Sequence, residues 1–194
     1  MRVQHRITSP AREERAATDD RSLDRREAEL VRGLVIRAQA GDKEAFGALY
    51  RAHHGSVHRL ASFYLNGSAE DAVAETFVRA WKALPKFKDT GAPFSAWLYG
   101  IARNIVADEL KAKRRVEPRE TLPEAAWSPD ADDRIAVTAV INRLPREQRQ
   151  VIEMKYLIGM LNSEVADALG RSVGAVNAIQ WRGLKKMREL MGCR

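Results

Sequence analysis

Along residues 28–115 apolar side chains recur every three or four positions, and alternation of period two is scarce. That spacing predicts amphipathic helices rather than strands. A first helix is expected over Glu29 to Ala40, stopped by Gly41. Asp42 can cap a long second helix through Phe46, Leu49, Val57, Leu60 and Phe63, ending near Asn66-Gly67. Ser68 is expected to cap a third helix, with Asp71 three residues on as its capping-box partner. The apolar stripe of that helix is Val73, Phe77, Trp81 and Leu84. Pro85 and Gly91-Ala92-Pro93 punctuate a loop. A fourth helix follows from about Phe94 to Arg115, burying Trp97, Ile101 and Ile105.

The pattern then breaks. Pro118, Pro123 and Pro129 interrupt any helix, and Glu117, Glu120, Glu124 and Asp130 make residues 116–131 acidic, as in an interdomain linker. Helical spacing resumes over 132–191 in four expected helices: Asp133–Arg143, Pro145–Ile158, Ser163–Leu169 and Val173–Met191. Pro145 suits a first helical position, and Gly159 and Gly170 suit helix ends. Residues 1–27 differ from both blocks. Only Met1, Val3, Ile7 and Leu23 are large and apolar there, among seven Arg and six Asp or Glu. Such a lead cannot bury enough surface to offset ordering entropy and is expected to be disordered. The fold class expected is all-α: two small helical domains, 28–115 and 132–194, joined by a flexible linker.

Composition narrows the function. The 194 residues carry 33 Lys plus Arg against 26 Asp plus Glu, a net charge of +7 that favours a polyanionic partner. The single cysteine, Cys193, excludes a disulfide framework and a multi-thiolate metal site within one chain. No run approaches the roughly 18 apolar residues of a membrane span, and no apolar block follows Arg2 and Arg6 as in a secretory signal. The expectation is a cytoplasmic protein without membrane insertion or cofactor.

The strongest local signal is in the second block. Ser163-Glu164-Val165-Ala166-Asp167-Ala168-Leu169-Gly170 reads as a short helix with a glycine stop. Arg171-Ser172 is a tight turn whose serine can cap a longer basic helix from Val173. Short helix, glycine turn and longer helix form the helix-turn-helix pattern. Its buried side would be Val176, Ile179, Gly183, Met187 and Leu190, leaving Asn177, Trp181, Lys185 and Arg188 to face outward. Amide, aromatic and cationic groups there can reach base edges and phosphates, although a surface helix with a solvated basic side has the same pattern. In the first block Lys82, Lys86 and Lys88 surround the Pro85 loop with Phe87 among them, a mixture suited to single-stranded or distorted nucleic acid. Lys111, Lys113, Arg114 and Arg115 end the fourth helix, where cations also complement the helix dipole. Asp71, Glu75, Arg79 and Lys82 form a stripe that dipole compensation and i,i+4 pairing would explain without a partner. His54 and His58 are one helical turn apart beside His53, but no metalloprotease pattern or third ligand accompanies them, so they read as surface histidines. Neither a glycine-rich phosphate loop nor a Cys–His nucleophile pair is present, and no metal-binding or catalytic residue is assigned.

Three segments together resemble one family. Glu70-Asp71-Ala72-Val73-Ala74-Glu75-Thr76-Phe77-Val78-Arg79-Ala80-Trp81, then Phe94-Ser95-Ala96-Trp97-Leu98-Tyr99-Gly100-Ile101-Ala102-Arg103-Asn104, then Leu144-Pro145-Arg146-Glu147-Gln148-Arg149-Gln150-Val151-Ile152 with the helix-turn-helix resemble, in order and spacing, an extracytoplasmic-function (ECF) sigma factor. Such proteins keep the sigma-2 and sigma-4 domains, and the resemblance spans about residues 28–191. It implies a non-enzymatic factor that binds core RNA polymerase through the β′ clamp helices and the β subunit. It also implies recognition of −10 and −35 promoter elements and control by an anti-sigma factor. By the same resemblance, Asp71 and Glu75 match core-binding positions. Lys82, Lys86, Phe87, Lys88, Arg103 and Asn104 match the −10 reader, with Phe87 and Asn104 shaping the pocket for a flipped base. Arg171, Ser172, Asn177, Trp181, Arg182 and Lys185 are the −35 candidates. Leu161 stands where the family usually has a serine cap, so Asn162 or Ser163 is expected to cap the first helix of the motif. A stand-alone helix-turn-helix regulator would explain the second block but not the first.

Overall fold

In the computed structural model, which describes residues 26–65, 67–116 and 129–192, every regular element is helical. The first half comprises α1 (26–39), α2 (Lys43–Tyr64), α3 (Ala69–Ala83), a 3₁₀ turn (Leu84–Lys86) and α4 (Phe94–Val116). The second comprises α5 (Pro129–Asn142), α6 (Arg146–Ile152), a π-helical turn continuing it (Glu153–Ile158), α7 (Asn162–Leu169) and α8 (Val173–Leu190). The helical spacing therefore places the elements closely, with α5 starting inside the stretch expected to be linker. The remainder of that stretch, 117–128, and the expected disordered lead up to residue 25 lie outside the described residues.

Local chemistry explains the helix starts. The Asp42 carboxylate accepts from the N–H groups of Glu44 (2.9 Å) and Ala45 (3.0 Å), satisfying donors that the first turn of α2 leaves free. Arg37 pairs with the other carboxylate oxygen at 2.6 Å. The bond from Ala45, and then that from Arg37, hold the Asp42 carboxyl below the usual range. Ser68 differs from expectation. It occupies the cap position of α3 but makes no side-chain cap: its backbone (φ −114°, ψ 22°) lies outside the extended region of a capping residue, and its hydroxyl accepts from Lys113 Nζ at 3.2 Å.

Helices α2, α3 and α4 pack as a bundle around Leu49, Leu60, Val73, Ala80, Leu98 and Val106, with Leu84 of the 3₁₀ turn beneath them. In the second half α8 packs on α6 and α7 around Val151, Ile152, Val165, Val176 and Ile179. Close approach of α6 and α8 depends on Gly183, where an added Cβ would lie 3.3 Å from Ile152 Cγ1.

The two halves are not merely strung together. Their buried apolar residues form one continuous cluster, in which Met154, Ile158 and Met160 join the core of the first bundle. At the centre of the seam is Glu153, fully buried on the π-helical turn. The Tyr64 hydroxyl donates to its Oε1, and Tyr99 donates to Oε2 at 2.6 Å. Arg103 Nε donates to Oε2 at 3.1 Å, its guanidinium 5.1 Å from the centroid of the Tyr64 ring. Burial first, and then the Glu153 charge, push both phenols well above their ordinary pKa, so they remain donors. Around this centre Arg59 donates to the carbonyls of Leu157 (3.1 Å) and Ile158 (3.4 Å), Arg134 to that of Ser62 (2.8 Å), and Thr138 to that of Phe63 (3.1 Å).

Two stability outcomes follow from this packing. Gly183→Ala requires only a few tenths of an ångström of adjustment, offset by a helix-propensity gain of about 1 kcal/mol. Gly183→Val overpacks the α6–α8 contact and should lower the unfolding free energy by about 1–3 kcal/mol in urea titrations. Asp42→Ala should lower the Tm at neutral pH. Because the Asp42 pKa is depressed on folding, its contribution is complete above the unfolded value of 3.8 and fades as pH falls through the folded one. The Tm difference between wild type and variant should therefore narrow on acidification to about pH 2.

Candidate nucleic-acid interface

The second half presents a helix-turn-helix. Gly170 ends α7 in the left-handed region (φ 61°), which glycine enters without strain. The Ser172 hydroxyl accepts from Ala175 N–H at 3.2 Å and caps α8, as the sequence predicts. The start of α7 is a correction: neither Asn162 nor Ser163 is its cap. Leu161 holds that position, and its N–H donates to Glu164 Oε2 at 2.7 Å. Val176, Ile179 and Gly183 are buried, with Met187 and Leu190 half-buried beside them. Asn177, Trp181, Arg182 and Lys185 are exposed. Trp181, a large apolar ring 63% exposed, has Lys185 Nζ 5.3 Å from its centroid. The ammonium over the exposed indole is a cation–π arrangement. Arg171 is also exposed but bonds Glu147 at 2.9 Å, tying the turn to α6.

Asn162 has a different task. Its amide donates to Asn177 Oδ1 (2.6 Å) and Gln180 Oε1 (2.9 Å), and Gln180 donates onward to the Tyr156 hydroxyl at 2.9 Å. This network fixes the amide of Asn177 on the outer side of α8. Pattern reading missed Asn162, Gln180 and Tyr156 in this role, since their contacts span three elements; the polar residue in place of an apolar one at Gln180 was the available signal.

The first half presents a separate face. Lys82, Lys86 and Lys88 are exposed around the 3₁₀ turn. Phe87 between them is half-buried, meeting the rings of Trp97 at 5.0 Å and Phe94 at 6.0 Å. Gln39 of α1 donates to the carbonyls of Leu84 (3.1 Å) and Phe87 (2.8 Å), so the loop is held from below. Phe87, Phe94 and Trp97 thus make an aromatic wall beside a ring of lysines. Asn104 is exposed on α4, whereas Arg103 turns into the seam toward Glu153. The structure therefore brings the three lysines and Phe87 together and separates Arg103 from them. Glu153, Tyr64 and Tyr99 were not legible as a set, because one lies 89 residues and another 54 residues from the carboxylate. On α3, Asp71 is exposed and Glu75 pairs with Arg79 at 2.6 Å in the expected i,i+4 manner.

The histidines have local occupations. His53 lies against Phe94 at 5.4 Å, and burial lowers its pKa. His54 stacks on His58, whose Nε2 lies 3.0 Å from Glu70. Among the described residues no helix is long and apolar enough to cross a membrane.

Comparison with known proteins gives these two faces a context. Residues 49–116 match the family of sigma-70 region 2, and residues 134–187 match sigma-70 region 4. The chain is 34% identical over 185 residues to the ECF RNA polymerase sigma factor SigD of Mycobacterium bovis, covering 90% of this chain and 79% of SigD. It is 33% identical over 170 residues to the ECF RNA polymerase sigma factor BldN of Streptomyces coelicolor, covering 81% of this chain and 64% of BldN. Among solved structures, CnrH in complex with the cytosolic domain of CnrY is similar with a TM-score of 0.62 and 30% identity, covering 84% of this chain and 97% of that one. With both sigma regions in order on one all-helical chain, and with relatives covered over most of their length, the chain belongs to the ECF RNA polymerase sigma factors, which are transcription initiation factors and not enzymes.

Proposed function

We propose that this sigma factor divides promoter reading between its two faces. The α8 face reads the −35 element as a duplex, and the loop-and-α4 face reads the −10 element as an opened strand. The observation that carries this reading is the contrast between the faces. Asn177, Trp181, Arg182 and Lys185 stand exposed along a helix able to enter a major groove. Phe87, backed by Phe94 and Trp97, offers instead a flat apolar wall with lysines at its rim.

On the −35 side, Asn177 and Trp181 meet base edges, while Arg182 and Lys185 meet phosphate; Ser172 and Arg171 set the start of the helix at the backbone. On the −10 side, an extruded base stacks at Phe87, and the Asn104 amide supplies donor and acceptor. Lys82, Lys86 and Lys88 hold the strand. Unstacking a base costs a few kcal/mol, and contacts that exist only with the opened strand offset it. Asp71 and Glu75 on the outer side of α3 meet core polymerase at the β′ clamp helices, with the β subunit as a further contact. The factor acts in the cytoplasm, where that enzyme works. The capture of CnrH with a cytosolic domain supports control of this chain by an anti-sigma protein.

Run-off transcription with core polymerase on a genomic promoter library tests the assignment. Asn104→Ala should impair opening and base choice at −10. Trp181→Ala should weaken −35 engagement by about 1–3 kcal/mol, the scale of a good base contact. Initiation by both variants at wild-type rates and positions would remove these residues from the site. The lysines have a separate signature. Replacing Lys82, Lys86 and Lys88 together by alanine should flatten the salt dependence of open-complex formation by about 2 in log–log slope, at about 0.7 per single-strand phosphate. Base preference should remain unchanged.

A further inference from the structure

We infer that Glu153 latches the free chain shut: its carboxylate holds the region 4 half on the region 2 half in an arrangement that cannot engage a promoter, and core polymerase acts by separating them. The inference rests on the functional reading above. Arg103, a −10 candidate, is taken up by Glu153 at 3.1 Å. Phe87 and Phe94 line a cavity of about 650 Å³ that Ile158, Met160 and Leu161 also line, so region 4 shares the cavity beside the proposed base pocket.

Distance makes the closed state incompatible with initiation. Elements named −35 and −10 lie about 25 base pairs apart, or about 85 Å at about 3.4 Å per base pair. A compact chain of 194 residues has a radius of gyration of roughly 16 Å and a width of roughly 45 Å. With the halves packed together, one molecule cannot place its two readers on both elements.

The chemistry of the seam suits a catch that must release. Against water, a buried ion pair contributes little net stability, since desolvation offsets attraction. On separation Glu153, Arg103, Tyr64 and Tyr99 all regain water, and no group is stranded. Removing one partner while the seam is closed leaves the others buried and unpaired, so a single substitution shifts the balance strongly.

Pulsed EPR distances in the full chain test the latch. Spin labels are placed at Lys43→Cys on α2 and Lys186→Cys on α8, with Cys193→Ser removing the native thiol. The unmodified seam should give one population shorter than about 45 Å. Glu153→Ala should add a long-distance population and tighten binding to core polymerase up to about a hundredfold, as expected if about one wild-type molecule in a hundred is open. Tyr64→Phe combined with Tyr99→Phe should move both readings the same way. Long distances in the free wild-type seam would overturn the latch. So would unchanged distances and affinity in Glu153→Ala at intact helicity by circular dichroism. Should Glu153→Ala lose helicity, the tyrosine pair decides, and unchanged distances there overturn it. Opening of the variants without binding of core polymerase by any form would uphold the latch and overturn the functional reading instead.

Discussion

A carboxylate with no exposure to water must be compensated from every side, and Glu153 is compensated only when both halves of the chain are in place. Two phenols and a guanidinium, all from the first bundle, converge on its two oxygens. None of these donors belongs to the half that carries Glu153. Region 4 therefore has a polar requirement that it does not meet alone in the closed state. The relative placement of α2, α4 and the π-helical turn is set by directional bonds as well as by apolar contact. A purely apolar seam tolerates sliding, whereas these bonds select one register.

On the proposed assignment, the two faces differ because their targets differ. A duplex offers a groove of fixed width lined with donors and acceptors, so a rigid helix with side chains at one-turn intervals can read it. Asn177, Trp181 and Lys185 follow one another at that interval, and the amide network through Asn162 holds the first of them. An opened strand offers loose bases and a flexible backbone, so its reader needs an aromatic surface and dispersed cations. The loop after α3 supplies these and is held by Gln39, keeping Phe87 between the lysines. On that assignment one chain carries a rigid reader for the stiff target and a supported loop for the soft one.

Much of this was legible in the residues, for physical reasons that also mark where legibility ends. Helical spacing, Asp42, Gly170 and Ser172 encode local geometry within a turn or two, and each appears as expected. Ser68 departs from expectation because its backbone is outside the capping conformation while its hydroxyl meets a distant lysine, and at α7 the helix begins one residue early, with the Asn162 amide drawn to Asn177 and Gln180 instead. The seam was illegible. Glu153 sits between Ile152 and Met154 in a run that pattern alone reads as an apolar stripe with one solvated charge. Only tertiary structure reveals that the charge points inward, since its donors lie 89, 54 and 50 residues away.

The choice of a polar seam over an apolar one has a thermodynamic logic. Fully burying a large aliphatic side chain is worth about 1.5–3 kcal/mol, and that cost returns in full whenever the surface is exposed again. Met154, Ile158 and Met160 already bring such a cost to separation. A further apolar residue at position 153 would add to it in every cycle of opening. Glutamate specifies the closed geometry while adding little to the cost of leaving it, because its ion pair and hydrogen bonds exchange for water at near-even free energy. A factor that must close in one defined way and still yield to a competing protein needs that combination of high specificity and low adhesion.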